Sequence, residues 1–165
     1  MSDEKLYRLA ARVGQALKAK GVMMATAESC TGGWIAQAVT AVPGSSEWFE
    51  RGFVTYTSLS KREMLGVNAD TLGQFGAVSE QTVSEMTAGA LARSHAQIAV
   101  SVSGTVGPSG GTPQKPVGTV CFGWGVKNST VHTSVKHFDG DREAVRRQAV
   151  AFALERVLAL AEKGA

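Results

Sequence analysis

Apolar residues recur at helical spacing from the start of the chain: Leu6, Leu9, Val13, Ala16 and Leu17 share one face, and Lys20-Gly21 closes the run. The short apolar stretch over 22–26 predicts a strand. Positions 34–39 predict a second helix stopped before Pro43-Gly44, and 49–57 predicts another strand. Ser58 or Ser60 is suited to cap a short helix over 61–65 that Gly66 ends, and 70–75 adds a turn before Gly76. Ser79-Glu80-Gln81-Thr82 opens a longer helix to about Ser94, with Val83, Met86, Ala90 and Leu91 on one face. A short buried strand is expected over 97–103, followed by two strands, 117–126 and 130–138, joined at Lys127-Asn128-Ser129. The last helix spans 141–162, with Val145, Ala149, Phe152, Leu154, Val157, Leu158 and Leu160 as its apolar set.

The order α-β-α-β-α-α-β-β-β-α, with helices able to cover both faces, predicts an α/β fold: a three-layer α/β/α domain on a mixed sheet. A length of 165 residues fits a single domain over 1–165 that buries a core without staples. With 44% hydrophobic and 19% charged residues, the chain is neither disordered nor membrane-spanning. Met1-Ser2-Asp3-Glu4-Lys5 begins with acids and has no long apolar segment of a signal peptide, so a cytoplasmic protein is expected. Cys30 and Cys121 lie far apart with no CxxC or Cys/His spacing, which argues against structural zinc. The net charge of +3 is slight, and basic residues are interleaved with acids along the chain, with a doublet at Arg146-Arg147. No stripe suits a phosphate backbone, so neither nucleic acid nor a membrane is an expected partner.

Candidate chemistry starts at Thr26-Ala27-Glu28-Ser29-Cys30-Thr31-Gly32-Gly33, where a strand delivers a hydroxyl and a thiol into a glycine turn that opens a helix. Ser29 could attack a carbonyl there, with amides near Thr31, Gly32 and Gly33 and the helix dipole receiving the oxyanion. The same residues also read as an ordinary helix cap. Gly107-Pro108-Ser109-Gly110-Gly111 matches G-x-S-x-G, but Thr112-Pro113-Gln114-Lys115-Pro116 cannot supply the helix that a nucleophile elbow needs. Ser58-Leu59-Ser60-Lys61 matches S-x-x-K without the partner motifs of penicillin-recognising enzymes. His95, His132 and His137 have no acid at triad spacing. Tyr56 and Lys61, at the end of a strand and the start of a helix, are the remaining candidates for a base, although Lys61 by itself reads more readily as a solvated helix residue. A basic lysine needs its pKa lowered from about 10.4 to about 7, roughly 4 to 5 kcal/mol of disfavoured charge. The thirteen residues 104–116, with four glycines and three prolines, form a loop of the length common at functional sites.

Together these segments resemble one family over nearly the whole chain, the CinA C-terminal domain, whose stand-alone form is a nicotinamide-nucleotide amidase. The resemblance rests on residues 26–33, Gly52-Phe53-Val54-Thr55-Tyr56 with Lys61, Leu65-Gly66-Val67, and Gly76-Ala77-Val78-Ser79-Glu80. It continues through residues 103–111, Lys115-Pro116-Val117-Gly118 and Phe138-Asp139-Gly140-Asp141-Arg142. It implies deamidation of nicotinamide mononucleotide to nicotinate mononucleotide and ammonia, with Ser29 as nucleophile assisted by Lys61 and Tyr56. Thr31, Gly32, Gly33, Ser103, Gly104, Thr105 and Arg142 would then hold the substrate. Gly104, Gly107, Gly110 and Gly111 could offer amides to its phosphate, with Arg142 as charged partner.

In one loop the family's usual Thr-Gly-Ile-Ala-Gly-Pro reads Ser-Gly-Thr-Val-Gly-Pro, putting a hydroxyl at Thr105 and bulk at Val106. This bears on substrate fit more than on the chemistry. The N-terminal domain of many CinA proteins has no counterpart in these residues, so its activity is not expected. No metal or diffusible cofactor is expected, since ligand clusters and nucleotide-cofactor fingerprints are lacking. Two rivals stand beside the amidase: a catalytically weak nucleotide-binding protein, and a competence- or damage-associated factor. The oligomeric state is left open, a homo-oligomer included.

Overall fold

The computed structural model describes residues 1–163. Helix α1 (Asp3–Lys20) opens on Ser2, whose hydroxyl accepts from the Lys5 amide, and closes on Gly21 in the left-handed conformation. The amides of Gly21 and Val22 bond back to the carbonyls of Lys18 and Leu17, the paired bonds of a helix stop. Val22 therefore belongs to that stop, and strand β1 is Met24–Glu28 rather than 22–26. The shift puts Glu28 at the strand's end and Ser29 just past it.

Helix α2 (Trp34–Thr40) and a 3-10 turn at Ser45–Glu47, unforeseen in the sequence, lead to β2 (Phe49–Val54). That strand ends before residue 57 because Thr57 caps helix α3 (Ser58–Leu65). Its hydroxyl accepts from the Ser60 amide at 3.1 Å while the Ser60 hydroxyl accepts from the Thr57 amide at 3.0 Å. The cap is thus Thr57, with Ser60 completing the reciprocal box. Helices α4 (Ala69–Phe75) and α5 (Glu80–Ala92) follow, then β3 (Ile98–Gly104), β4 (Thr119–Val126), β5 (His132–His137) and α6 (Arg142–Glu162).

The sheet order is β2-β1-β3-β4-β5, with β1 parallel to β2 and β3 and with β4 antiparallel to both β3 and β5. This is the expected mixed sheet in an α/β fold. Alternation along β3 divides the core: Ile98, Val100 and Val102 pack with α1, α2 and α6, while Ala99 faces α3 and α5. Phe122 lies parallel to Trp124 at 5.5 Å between ring centres and meets the Phe152 ring edge-on at 4.9 Å, anchoring α6 to β4. The chain leaves β1 for β2 on one side and returns to β3 on the other. A crevice therefore opens at the carboxyl ends of β1 and β3, where such sheets receive ligands.

Candidate active site

The turn after β1 is built by its glycines and an acid. Ser29 extends the sheet by one bond, its amide donating to the Val102 carbonyl at 3.0 Å. Gly32 and Gly33 then take φ values of +61° and +101°, a region where a side chain is strained. Glu28 is fully buried behind this turn. Its Oε1 accepts from the Thr31 hydroxyl at 2.6 Å and the Ile35 amide at 2.8 Å, and its Oε2 from the Ala36 amide at 3.1 Å. Burial pushes the Glu28 carboxyl above its ordinary range, and the Thr31 hydroxyl with the amides of Ile35, Ala36 and Gly33 acts against that push.

Helix α3 sends Lys61 back under the ends of β1 and β2, where it is 1% exposed. Its Nζ stands 2.8 Å from Ser29 Oγ, 2.6 Å from the Thr55 carbonyl and 3.4 Å from the Tyr56 carbonyl. Among the described residues no carboxylate pairs with it. Desolvation lowers its pKa from the ordinary 10.5 to about 8. A neutral amine has two N–H groups and one lone pair. The two carbonyls can take the N–H groups, which leaves the lone pair for the Ser29 hydroxyl. The neighbouring Cys30 is a contrast: burial pushes its thiol up to about 12, so it stays protonated and unreactive near neutrality.

Ser29, Lys61, Tyr56, Ser103, Gly104, Thr105 and Arg142 line one cavity of about 320 Å³, together with Cys30, Ser58, Val106 and Ser109. Thr31, Gly32 and Gly33 do not line it. The Gly32 amide bonds the Ser29 carbonyl at 3.0 Å, and the Gly33 amide faces Glu28. The start of α2 is therefore occupied by the Glu28 carboxylate, which corrects the expectation that its dipole faces the reaction. The amides of Cys30 and Thr31 have no partner in other described residues.

Tyr56 touches the Ser29–Lys61 pair through its carbonyl. Its phenol instead accepts from Arg142 Nη2 at 3.2 Å, while Arg142 Nη1 donates to the Gly107 carbonyl at 2.8 Å. The lysine of the S-x-x-K pattern meets Ser29 and not Ser58. His95, His132 and His137 all lie outside the cavity. Two residues at the site were not singled out from sequence. Glu28 stood inside the quoted motif, and Arg146, half of the Arg146-Arg147 doublet, donates to the carbonyls of Cys30 and Thr31.

Against known proteins, the CinA C-terminal domain family matches residues 6–161. The nicotinamide-nucleotide amidohydrolase PncC of Enterobacter agglomerans is 55% identical over 158 residues, 96% of each chain. Its namesake in Escherichia coli K12 is 54% identical over 94% of each chain. A longer protein of Thermotoga neapolitana, described as CinA-like, is 46% identical, and the match spans 37% of it. Among solved structures, the competence/damage inducible protein CihA of Agrobacterium tumefaciens superposes with a TM-score of 0.92 at 46% identity, covering 97% of this chain and 96% of that one. With the family matched across nearly its whole length and a common fold at high identity, this chain belongs to the CinA C-terminal domain family.

Proposed function

We propose that the chain hydrolyses the carboxamide of nicotinamide mononucleotide to nicotinate mononucleotide and ammonia, with Ser29 as nucleophile and Lys61 as its base. The observation that carries this reading is the 2.8 Å approach of a buried lysine, free of any carboxylate among the described residues, to the serine hydroxyl. The names of the two PncC relatives supply the substrate.

In the first half-reaction Ser29 Oγ attacks the carboxamide carbon as Lys61 takes its proton. Lys61 then returns that proton to the leaving nitrogen, and the C–N bond breaks to give ammonia and an acyl-serine. In the second, water attacks the ester and gives one proton to Lys61, which passes it to Ser29 as the ester C–O bond breaks, and the acid released loses its remaining proton to solvent. The carbonyls of Thr55 and Tyr56 keep the amine aimed at Ser29 throughout. Arg142 is the one guanidinium lining the cavity among the described residues, which supports it as the phosphate partner beside the phenol of Tyr56. Thr105 and Val106 line the same cavity and bear on the fit of the nucleotide. No step calls for a metal or a diffusible cofactor.

The reading treats the chain as one working domain acting in the cytoplasm on a small molecule. No described helix is long and apolar enough to cross a membrane, and both cysteines are free thiols. A coupled ammonia assay over nicotinamide mononucleotide, nicotinamide, nicotinamide riboside and NAD tests it. Release from the mononucleotide above the other three is the expected result. Binding without ammonia release from any of them would replace the enzyme with a nucleotide-binding protein.

A further inference from the structure

The turn presenting Ser29 is gripped from two sides by ionisable groups outside the proton transfer. On one side the Glu28 carboxylate ties the Thr31 hydroxyl to the first amides of α2. On the other, Arg146 of α6 donates Nε to the Cys30 carbonyl and Nη2 to the Thr31 carbonyl, both at 3.1 Å. Its guanidinium also lies against the Trp34 ring, 5.5 Å from the ring centre. Arg147 is a natural control. It pairs with Asp3 and Glu143, whereas Arg146 has no carboxylate partner among the described residues.

A trans peptide points its carbonyl and the following amide in opposite directions. A Thr31 carbonyl turned onto Arg146 therefore turns the Gly32 amide away from that guanidinium, toward the Ser29 carbonyl. The Ser29 carbonyl, held by the Gly32 amide, fixes the Cys30 amide in the same way. Cys30 lines the cavity beside the nucleophile, and its amide lacks a partner in other described residues.

We propose that Arg146 and Glu28 are positioning residues for acyl transfer, which clamp the Ser29–Gly32 peptides so that the Cys30 amide receives the oxyanion. The inference rests on Ser29 being the nucleophile. It adds the donor and the residues that orient it.

The experiment compares Arg146→Ala, Arg146→Lys, Glu28→Gln and Arg147→Ala in the full chain, measuring ammonia release, thermal midpoint and the rate at which a fluorophosphonate labels Ser29. Arg146→Ala should lower kcat and the labelling rate by about 10²-fold, the effect of a lost or misaimed oxyanion donor, and leave KM within about threefold. Added guanidinium should restore a large part of kcat to Arg146→Ala, because the half-buried site is open to a small cation, and should do nothing for Arg147→Ala, which stays near wild type. Arg146→Lys should stay impaired, since one ammonium cannot span both carbonyls. Glu28→Gln should show the same kcat loss, and if it fails to fold, the Arg146 series decides alone. Near-normal kcat and labelling in Arg146→Ala, or a loss tracking thermal stability without guanidinium rescue, overturns the proposal. Labelling at Ser29 without nucleotide hydrolysis in the wild type defeats the substrate assignment, and the labelling rates still decide on Arg146. A wild type that neither labels nor releases ammonia defeats both.

Discussion

Lys61 is set apart by its neighbours, which are carbonyls and a hydroxyl rather than an acid. Burial without a counter-charge lowers its pKa to about 8, so a useful fraction is neutral near pH 7 to 8. On the proposed mechanism kcat/KM rises with pH through a limb near 8 as the free enzyme's lysine loses its proton, measured with subsaturating nucleotide. Lys61→Arg should lose about 10²-fold or more in kcat, because a guanidinium stays charged. A normal kcat with raised KM would instead make Lys61 a substrate clamp. Stability gives a second test. Between pH 8 and 10.5 the unfolded lysine holds more proton than the folded one, so folding stability rises with pH across that window. Below pH 8 the buried charge costs the folded state about 3 kcal/mol, offset in part by its hydrogen bonds. Lys61→Met is therefore expected to be inactive yet more stable than wild type at pH 7 by about 1 to 2 kcal/mol, with the gap closing toward pH 10.5. Urea midpoints of both proteins at pH 7 and 10 measure it, and a constant gap would mean that the fold does not lower the Lys61 pKa.

At the scale of elements, the turn after β1 turns a strand end into a site. Gly33→Ala puts a Cβ at φ +101°, 3.4 Å from a methyl of Val54. It should cost about 1 to 2 kcal/mol in stability and lower kcat beyond that loss, since the same turn aims Ser29. Chemical denaturation beside ammonia kinetics separates the two effects. The elements themselves were legible because each amphipathic face answers to one layer, as with Val83, Met86 and Ala90 of α5. Boundaries were harder where one residue serves two signals. Val22 is apolar like a strand residue yet closes α1, and Thr57, Ser58 and Ser60 are all plausible caps until the capping bonds choose Thr57. Ser29 and Lys61 were visible as residue types at element ends, but their meeting depends on β1 and β2 being neighbours. The Arg146 grip was not legible, because it joins residues 116 positions apart with no periodic pattern to announce it. The glycine amides misled for a related reason: Glu28, one residue before Ser29, already occupies the start of α2.

At the scale of the whole molecule, the sheet gathers at one edge the segments that follow β1 and β2, the end of β3 and the loop after it, and α6 reaches over with Arg142 and Arg146. Every group the proposed reaction needs is a side chain or amide of this chain. Among the described residues no cluster of histidine, cysteine and carboxylates could hold a metal ion. Activity is therefore expected to survive EDTA unchanged, and loss restored by one divalent ion would count against the dyad mechanism. The most direct test of the account is ammonia release from nicotinamide mononucleotide by wild type, Ser29→Ala and Cys30→Ala, each checked for folding. Release by the wild type, much of it kept in Cys30→Ala and reduced to background in Ser29→Ala, is the result the account predicts. Turnover persisting in Ser29→Ala, or lost equally in Cys30→Ala, would contradict it.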